Sequence, residues 1–181
     1  MSQPTTVAVK TPTVSLTQAQ IDSYHRDGFL AIDSLTSLEE VAHLREIYDR
    51  IFRERAGRDE GNEFDLAGTD EEGKQATLPQ ILNPAKYAPE LNDSQLLINA
   101  HHCIRQLFNT DAASCGFAHA IFKPARIGAE TPWHQDAAYW GSEWISRSIS
   151  IWVVKNTARA WFNNTPSLTS HRPCLTLSFS G

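Results

Sequence analysis

Thr131-Pro132-Trp133-His134-Gln135-Asp136-Ala137-Ala138-Tyr139-Trp140 is the stretch on which the reading of this sequence turns. Residues 133–139 read as a short aromatic-rich strand. Strand side chains alternate between faces, so His134 and Asp136 project together, roughly 6–7 Å apart along the strand. One imidazole and one carboxylate on a common face make two thirds of a 2-His-1-carboxylate triad. That triad holds non-haem Fe(II) on one side and leaves the other open to O2 and a co-substrate. A lone His-x-Asp arises by chance in many sequences, and a histidine hydrogen-bonded near a turn is its plain alternative. Here Pro132 and Trp133 precede the triplet, Tyr139 and Trp140 follow it, and an apolar strand carrying Trp152 comes next.

Working outward, residues 117–122 and 147–154 share the same texture: short, β-branched or aromatic, and bounded by Gly, Pro and Ser. Upstream the periodicity is helical. Thr17 and Gln20 stand at capping-box spacing and start a helix that Gly28 stops after Asp27, and residues 29–32 then read as a strand. A second helix starts at Ser37, with Glu40 in the reciprocal capping position. It carries Val41, Leu44, Tyr48, Ile51 and Phe52 on one face. A third runs over residues 94–109, with Leu97, Ala100, Ile104, Leu107 and Phe108 on one face. Residues 78–82 suggest a strand. Helices lead and strands follow, which predicts an α+β fold with an antiparallel core. The acidic stretch 57–73 lacks the ligand register of a calcium loop and reads as a solvated loop.

Composition sets the outer bounds. The 181 residues are 41% hydrophobic and 20% charged, enough apolar material for one core. A net charge of −5 excludes a chain-wide basic footprint for nucleic acid. No stretch approaches the roughly 20 apolar residues of a membrane span. Residues 1–14 read as a disordered polar arm without the apolar centre of a secretion signal. Cys103, Cys115 and Cys174 form an odd, widely spaced set. That argues for a reducing compartment, and a cytoplasmic location is expected.

The chain resembles the phytanoyl-CoA dioxygenase family of Fe(II)/2-oxoglutarate-dependent oxygenases. The resemblance rests on residues 16–21 through Asp27-Gly28-Phe29-Leu30, on Ile121-Phe122-Lys123-Pro124 followed by residues 131–136, and on Ser148-Ile149-Ser150-Ile151-Trp152. It covers roughly residues 15–154 and implies a partial double-stranded β-helix, or jelly roll, buttressed by N-terminal helices. It implies that His134 and Asp136 ligate Fe(II), with Gln135 between them. It assigns Trp152 to the wall of the 2-oxoglutarate pocket, and sets His119 and, by looser alignment, Gln80 toward that pocket. The implied substrate is a small or lipid-like organic molecule. An intact Asp136 favours hydroxylation, since related halogenases carry a small residue there.

The family pattern also asks for a distal histidine and a basic residue, usually Arg, to pair with the far carboxylate of 2-oxoglutarate. After Val154 the resemblance stops, and residues 155–181 form an atypical tail without clear alternation. Three readings of that tail stand open: His171 and Arg172 as an improvised distal pair, a natural non-catalytic remnant, or an altered reading frame that removes the later strands. On the last two, activity would be impaired. Two other functions compete: a non-enzymatic binding protein of the same fold, and a zinc hydrolase of cupin type, for which the ligand set is short. The remaining candidates read plainly. His101 and His102 diverge on a helix. Lys123, Arg126 and Arg147 suit solvent, and Cys115 suits a buried small residue.

Overall fold

The computed structural model describes residues 10–68, 73–111, 114–129, 148–154, 160–164 and 174–180, with the backbone alone for 114–117 and for the last three segments. Helix α1 (Gln18–Asp27) carries the expected capping box between Thr17 and Gln20, and Gly28 closes it at φ 79°, a conformation glycine adopts without penalty. Strand β1 (Phe29–Ile32) follows, then α2 (Leu38–Arg53), whose first turn is capped by Ser37. The reciprocal half of that box is not made. Glu40 instead accepts from Thr36 Oγ1 and from the backbone N–H groups of Gln95 (2.5 Å) and Leu96 (2.8 Å). Those two amides open α3 (Gln95–Phe108), so a carboxylate on α2 satisfies donors that a helix start leaves unpaired. Helix α3 ends at Asn109 in the left-handed region, φ 48°.

The helices bury a shared core. Leu44, Ile47 and Ile51 of α2 meet Leu96, Ala100, Cys103, Ile104 and Leu107 of α3, together with Tyr24, Leu30, Ile32 and Ile81. The expected faces are rotated slightly. Ile47, Leu96 and Cys103 are buried, while Leu97 and Phe108 pack at the margin. Residues 10–16 lie along α3 as a strap. Asn99 accepts from Thr13 N and donates to Thr13 Oγ1 and Leu35 O, and Gln106 pairs both ways with the backbone of Leu16.

The sheet has seven strands in the order β1-β6-β5-β7-β4-β3-β2. Its other members are β2 (Glu63–Asp65), β3 (Pro79–Leu82), β4 (Ser114–Ile121), β5 (Ser148–Val154), β6 (Ala160–Asn164) and β7 (Cys174–Ser180). The expected antiparallel core needs correction: β7 runs parallel to both of its neighbours, β4 and β5, while the other pairings are antiparallel. The tail also departs from its sequence reading. Leu175, Leu177 and Phe179 alternate with Thr176, Ser178 and Ser180, and the segment is a strand. Within the acidic stretch, Glu63 and Asp65 sit on β2 and are buried, against the expectation of a solvated loop. Glu63 is neutralised by Arg55 at 3.2 Å and Arg58 at 3.5 Å, which is what lets a carboxylate leave water.

Register sorts the sheet into two unlike faces. One cross-strand row runs Ile32–Ala160–Val153–Phe179–Ala120–Ile81, and a second runs Leu30–Phe162–Ile151–Leu177–Ala118. Both are apolar as far as β3, where the first row continues to the ion-paired Glu63 of β2, and Leu30, Ile32, Ala118 and Ile81 place them on the helix-bearing side. Between them lies Ala31–Trp161–Trp152–Ser178–His119–Leu82, and beside it Phe29–Asn163–Ser150–Thr176–Phe117. These rows belong to the opposite face, where polar and aromatic residues replace aliphatic ones.

Candidate active site on the helix-distal face

His134, Gln135 and Asp136 lie outside the described residues, as does the strand expected over 133–139. Three other candidates fall inside. Trp152 and His119 occupy the same cross-strand row, separated by Ser178 of β7. At ~4.8 Å per strand, their backbones stand about 10 Å apart. Gln80 lies on β3 opposite Ile121, diagonal to His119 and on the same face.

Gln80 and His119 meet. The Gln80 amide carbonyl accepts a long hydrogen bond of 3.4 Å from His119 Nδ1. Gln80 is 4% exposed and His119 is half-buried. An oxygen acceptor at Nδ1 selects the tautomer with hydrogen on that nitrogen. The Gln80 Nε2 amide keeps donor capacity of its own. The pair is hydrogen-bonding, suited to orienting a polar group. Ser178 and Trp161 share the row, and neither was singled out from the sequence. The alternation over 174–180 is the signal that would have found Ser178.

The strand that carries Gln80 is held from below. Asp65, at the end of β2, accepts from Leu78 N (2.9 Å) and Ala67 N (3.1 Å) on Oδ1, and from Thr77 N (2.8 Å) and Thr77 Oγ1 (3.2 Å) on Oδ2. Burial raises its pKa, but the bonds from Thr77, Ala67 and Leu78 outweigh that, and the carboxyl titrates below its ordinary range.

Elsewhere the chemistry is muted. A groove of about 620 Å³ lies between the end of α2 and the 73–76 loop, lined in part by Phe52, Arg53, Lys74 and Phe122, and neither Gln80 nor His119 borders it. His101 and His102 do part company as expected. His102 Nε2 is 3.2 Å from Ser15 Oγ, whereas His101 Nε2 is buried without a hydrogen-bond partner among the described residues. Burial, then the charge of Arg105, lowers the His101 pKa. Burial pushes the thiol of Cys103 up to about 12, so it is inert. Arg126 is exposed, while the side chains of Cys115 and Arg147 are outside the described set. Among the described residues, no cluster of three His, Cys, Asp or Glu could hold a metal ion, and no helix is long and apolar enough to cross a membrane.

The sequence profile of the phytanoyl-CoA dioxygenase family matches residues 24–159. The crystal structure of EvdO2 from Micromonospora carbonacea var. aurantiaca complexed with 2-oxoglutarate is similar at 29% identity and a TM-score of 0.52, covering 75% of this chain and 54% of that one. A second crystal structure of EvdO2 from the same organism is similar at 34% identity and a TM-score of 0.54, over the same shares. The chain therefore spans about half the length of these solved relatives. No curated protein matches it.

Proposed function

As the chain belongs to the phytanoyl-CoA dioxygenase family, we propose that its chemistry is Fe(II)- and 2-oxoglutarate-dependent hydroxylation of a small or lipid-like organic substrate. The observation that carries this reading is the His134-Gln135-Asp136 triplet inside the matched segment. His134 and Asp136 are the proposed iron ligands. A neutral imidazole and a hard carboxylate suit Fe(II), and Asp136 keeps the carboxylate that hydroxylation needs. Iron and 2-oxoglutarate supply the oxidising chemistry when bound.

The chain's own residues do the rest. Trp152 is the proposed wall of the co-substrate pocket, about two strands from His119 on the same row. The Gln80 amide orients the co-substrate through a hydrogen bond and is itself held by His119. Gln135 lies between the ligands in sequence and is a further proposed contact of 2-oxoglutarate. The donor chemistry fits: amide and imidazole N–H groups suit a carboxylate, and tryptophans exclude water. On this reading the seven-stranded sheet is one wall of a jelly roll, and the helices buttress its outer side. A reducing, cytoplasmic setting suits a ferrous site and the buried free thiol of Cys103.

The triad's third ligand is not assigned, so iron affinity and turnover by this chain are expected to fall below those of a three-ligand site. The second reading, a non-catalytic binding protein of the same fold, rests on that shortfall. One experiment separates them. Anaerobic titration with Fe(II) and 2-oxoglutarate, followed by oxygen, should give one-to-one metal binding and succinate. Both should drop at least tenfold in His134→Ala and in Asp136→Ala. Succinate release that survives His134→Ala would overturn the oxygenase reading, and no saturable iron binding would favour the remnant.

A further inference from the structure

The carboxylate of Asp65 does more than close its own loop. Asp65 Oδ1 accepts from Leu78 N, and the carbonyl of that same peptide unit, Thr77 O, accepts from Ala129 N at 3.1 Å. One peptide group is thus held between a buried anion on its N–H side and a second backbone amide on its carbonyl side. Hydrogen bonds in series polarise one another, and an ionised acceptor strengthens the chain. The neighbouring bonds from Thr77 N and Oγ1 to Oδ2 keep the carboxylate from turning away.

The far end of this relay is the segment between β4 and the iron-binding triplet. That segment is pinned twice, to β3 by Phe122 N on Pro79 O at 2.9 Å and to the residues leading into β3 by Ala129 N on Thr77 O. Between the pins the chain makes a tight turn, with Gly128 N donating to Pro124 O at 2.8 Å. A Cβ at Gly128 would come within 2.7 Å of Pro124 O and 2.5 Å of Lys123 Cγ, so only glycine fits there. Gly68 similarly lets the Asp65 carboxylate approach, a Cβ there standing 3.1 Å from Oδ2. From Ala129 to His134 is a tether of five residues, which reaches at most roughly 17 Å.

We propose that Asp65 is a positioning residue: through the Thr77–Leu78 peptide it fixes the root of the segment that carries His134 and Asp136. The proposal rests on the oxygenase reading for its purpose and on the described geometry for its mechanism. Asp65 contacts neither metal nor co-substrate on this view. It sets where the segment bearing the proposed ligands departs, as outer partners orient metal ligands elsewhere, and loss of such partners costs about 10–100-fold in metal affinity.

The variant Asp65→Asn tests this, because it keeps the shape but turns an acceptor into a donor facing Thr77. A core variant, Ile51→Val, serves as a stability-matched control. In the metal-free full chain, hydrogen exchange at the Ala129 amide should accelerate at least tenfold in Asp65→Asn and remain near wild type in the control. In the anaerobic iron titration, Asp65→Asn should bind Fe(II) at least tenfold more weakly than the control does. Unchanged exchange at Ala129 would overturn the relay. Faster exchange with control-like iron affinity would overturn the positioning role and leave a purely structural carboxylate. Wild type that binds no iron would instead overturn the oxygenase reading, with the exchange result standing apart from it.

Discussion

The two faces of the sheet obey different rules. On the helix-bearing face, the positions from β1 to β3 in the rows through Ile32 and Leu30 are aliphatic, alanine or phenylalanine, a charge enters at the β2 edge where Glu63 stands opposite Ile81, and three helices seal the face. On the other face, the row through Trp152 mixes tryptophan, serine and histidine, and a buried glutamine holds the histidine. A face selected only for burial would not accumulate hydrogen-bonding groups, because each one costs free energy unless it is partnered. The first face is therefore where stability resides, and the second is where ligand chemistry is expected. Substitutions should separate accordingly.

The sharpest break of that contrast is Ile104→Ala. Ile104 is 1% exposed at the centre of the helix layer, and its truncation should cost about 2–5 kcal/mol, read as a lowered urea midpoint. A cost under ~1 kcal/mol would mean the layer is not packed as described. Next comes Glu40→Ala, which removes the acceptor for two amides at the start of α3 and should cost about 1–3 kcal/mol by the same measurement. On the opposite face, Gln80→Leu should move stability by less than about 1 kcal/mol, since the side chain keeps its volume. Its KM for 2-oxoglutarate should rise about tenfold, the worth of one hydrogen bond. A large stability loss with unchanged KM would reverse the assignment of the faces.

The smallest effect concerns pH. His101 is held neutral in the folded chain by burial, with Arg105 adding to that. Its folded pKa lies below the unfolded one, so the unfolded state takes up the proton first as pH falls. Stability from this group should therefore rise with pH through the range below the ordinary imidazole value of ~6.5. Urea midpoints taken from pH 5 to 8 should show a shallower slope in His101→Gln than in wild type. Equal slopes would show that His101 is hydrated in the folded chain.

The helix-bearing half was readable in advance because its signals are local. The Thr17 box, the Gly28 stop, the Ser37 and Ser94 caps and the Asn109 end are each written within one turn of the chain they shape. Glu40 shows where local reading ends: its spacing predicts a self-contained box, whereas two of its actual partners are 55 and 56 residues away. Glu63 and Asp65 were misread for the same reason, since a three-residue strand among acids looks like solvated chain until its arginines and amides are placed. The tail strand carries its alternation at Leu175, Leu177 and Phe179, but its partners are parallel strands remote in sequence, and no local signal names them. Gln80 and His119, 39 residues apart, were legible only through the family resemblance, and no periodicity brings them together.

The central placement of β7 has a kinetic consequence. Two half-sheets, β1-β6-β5 and β4-β3-β2, are joined only when residues 174–180 slot between them. Until that segment leaves the ribosome, each half presents a bare inner edge able to recruit strands from other chains. Maturation should thus be slow, and yield should depend more on chaperone supply and growth temperature than on the depth of the final free-energy well.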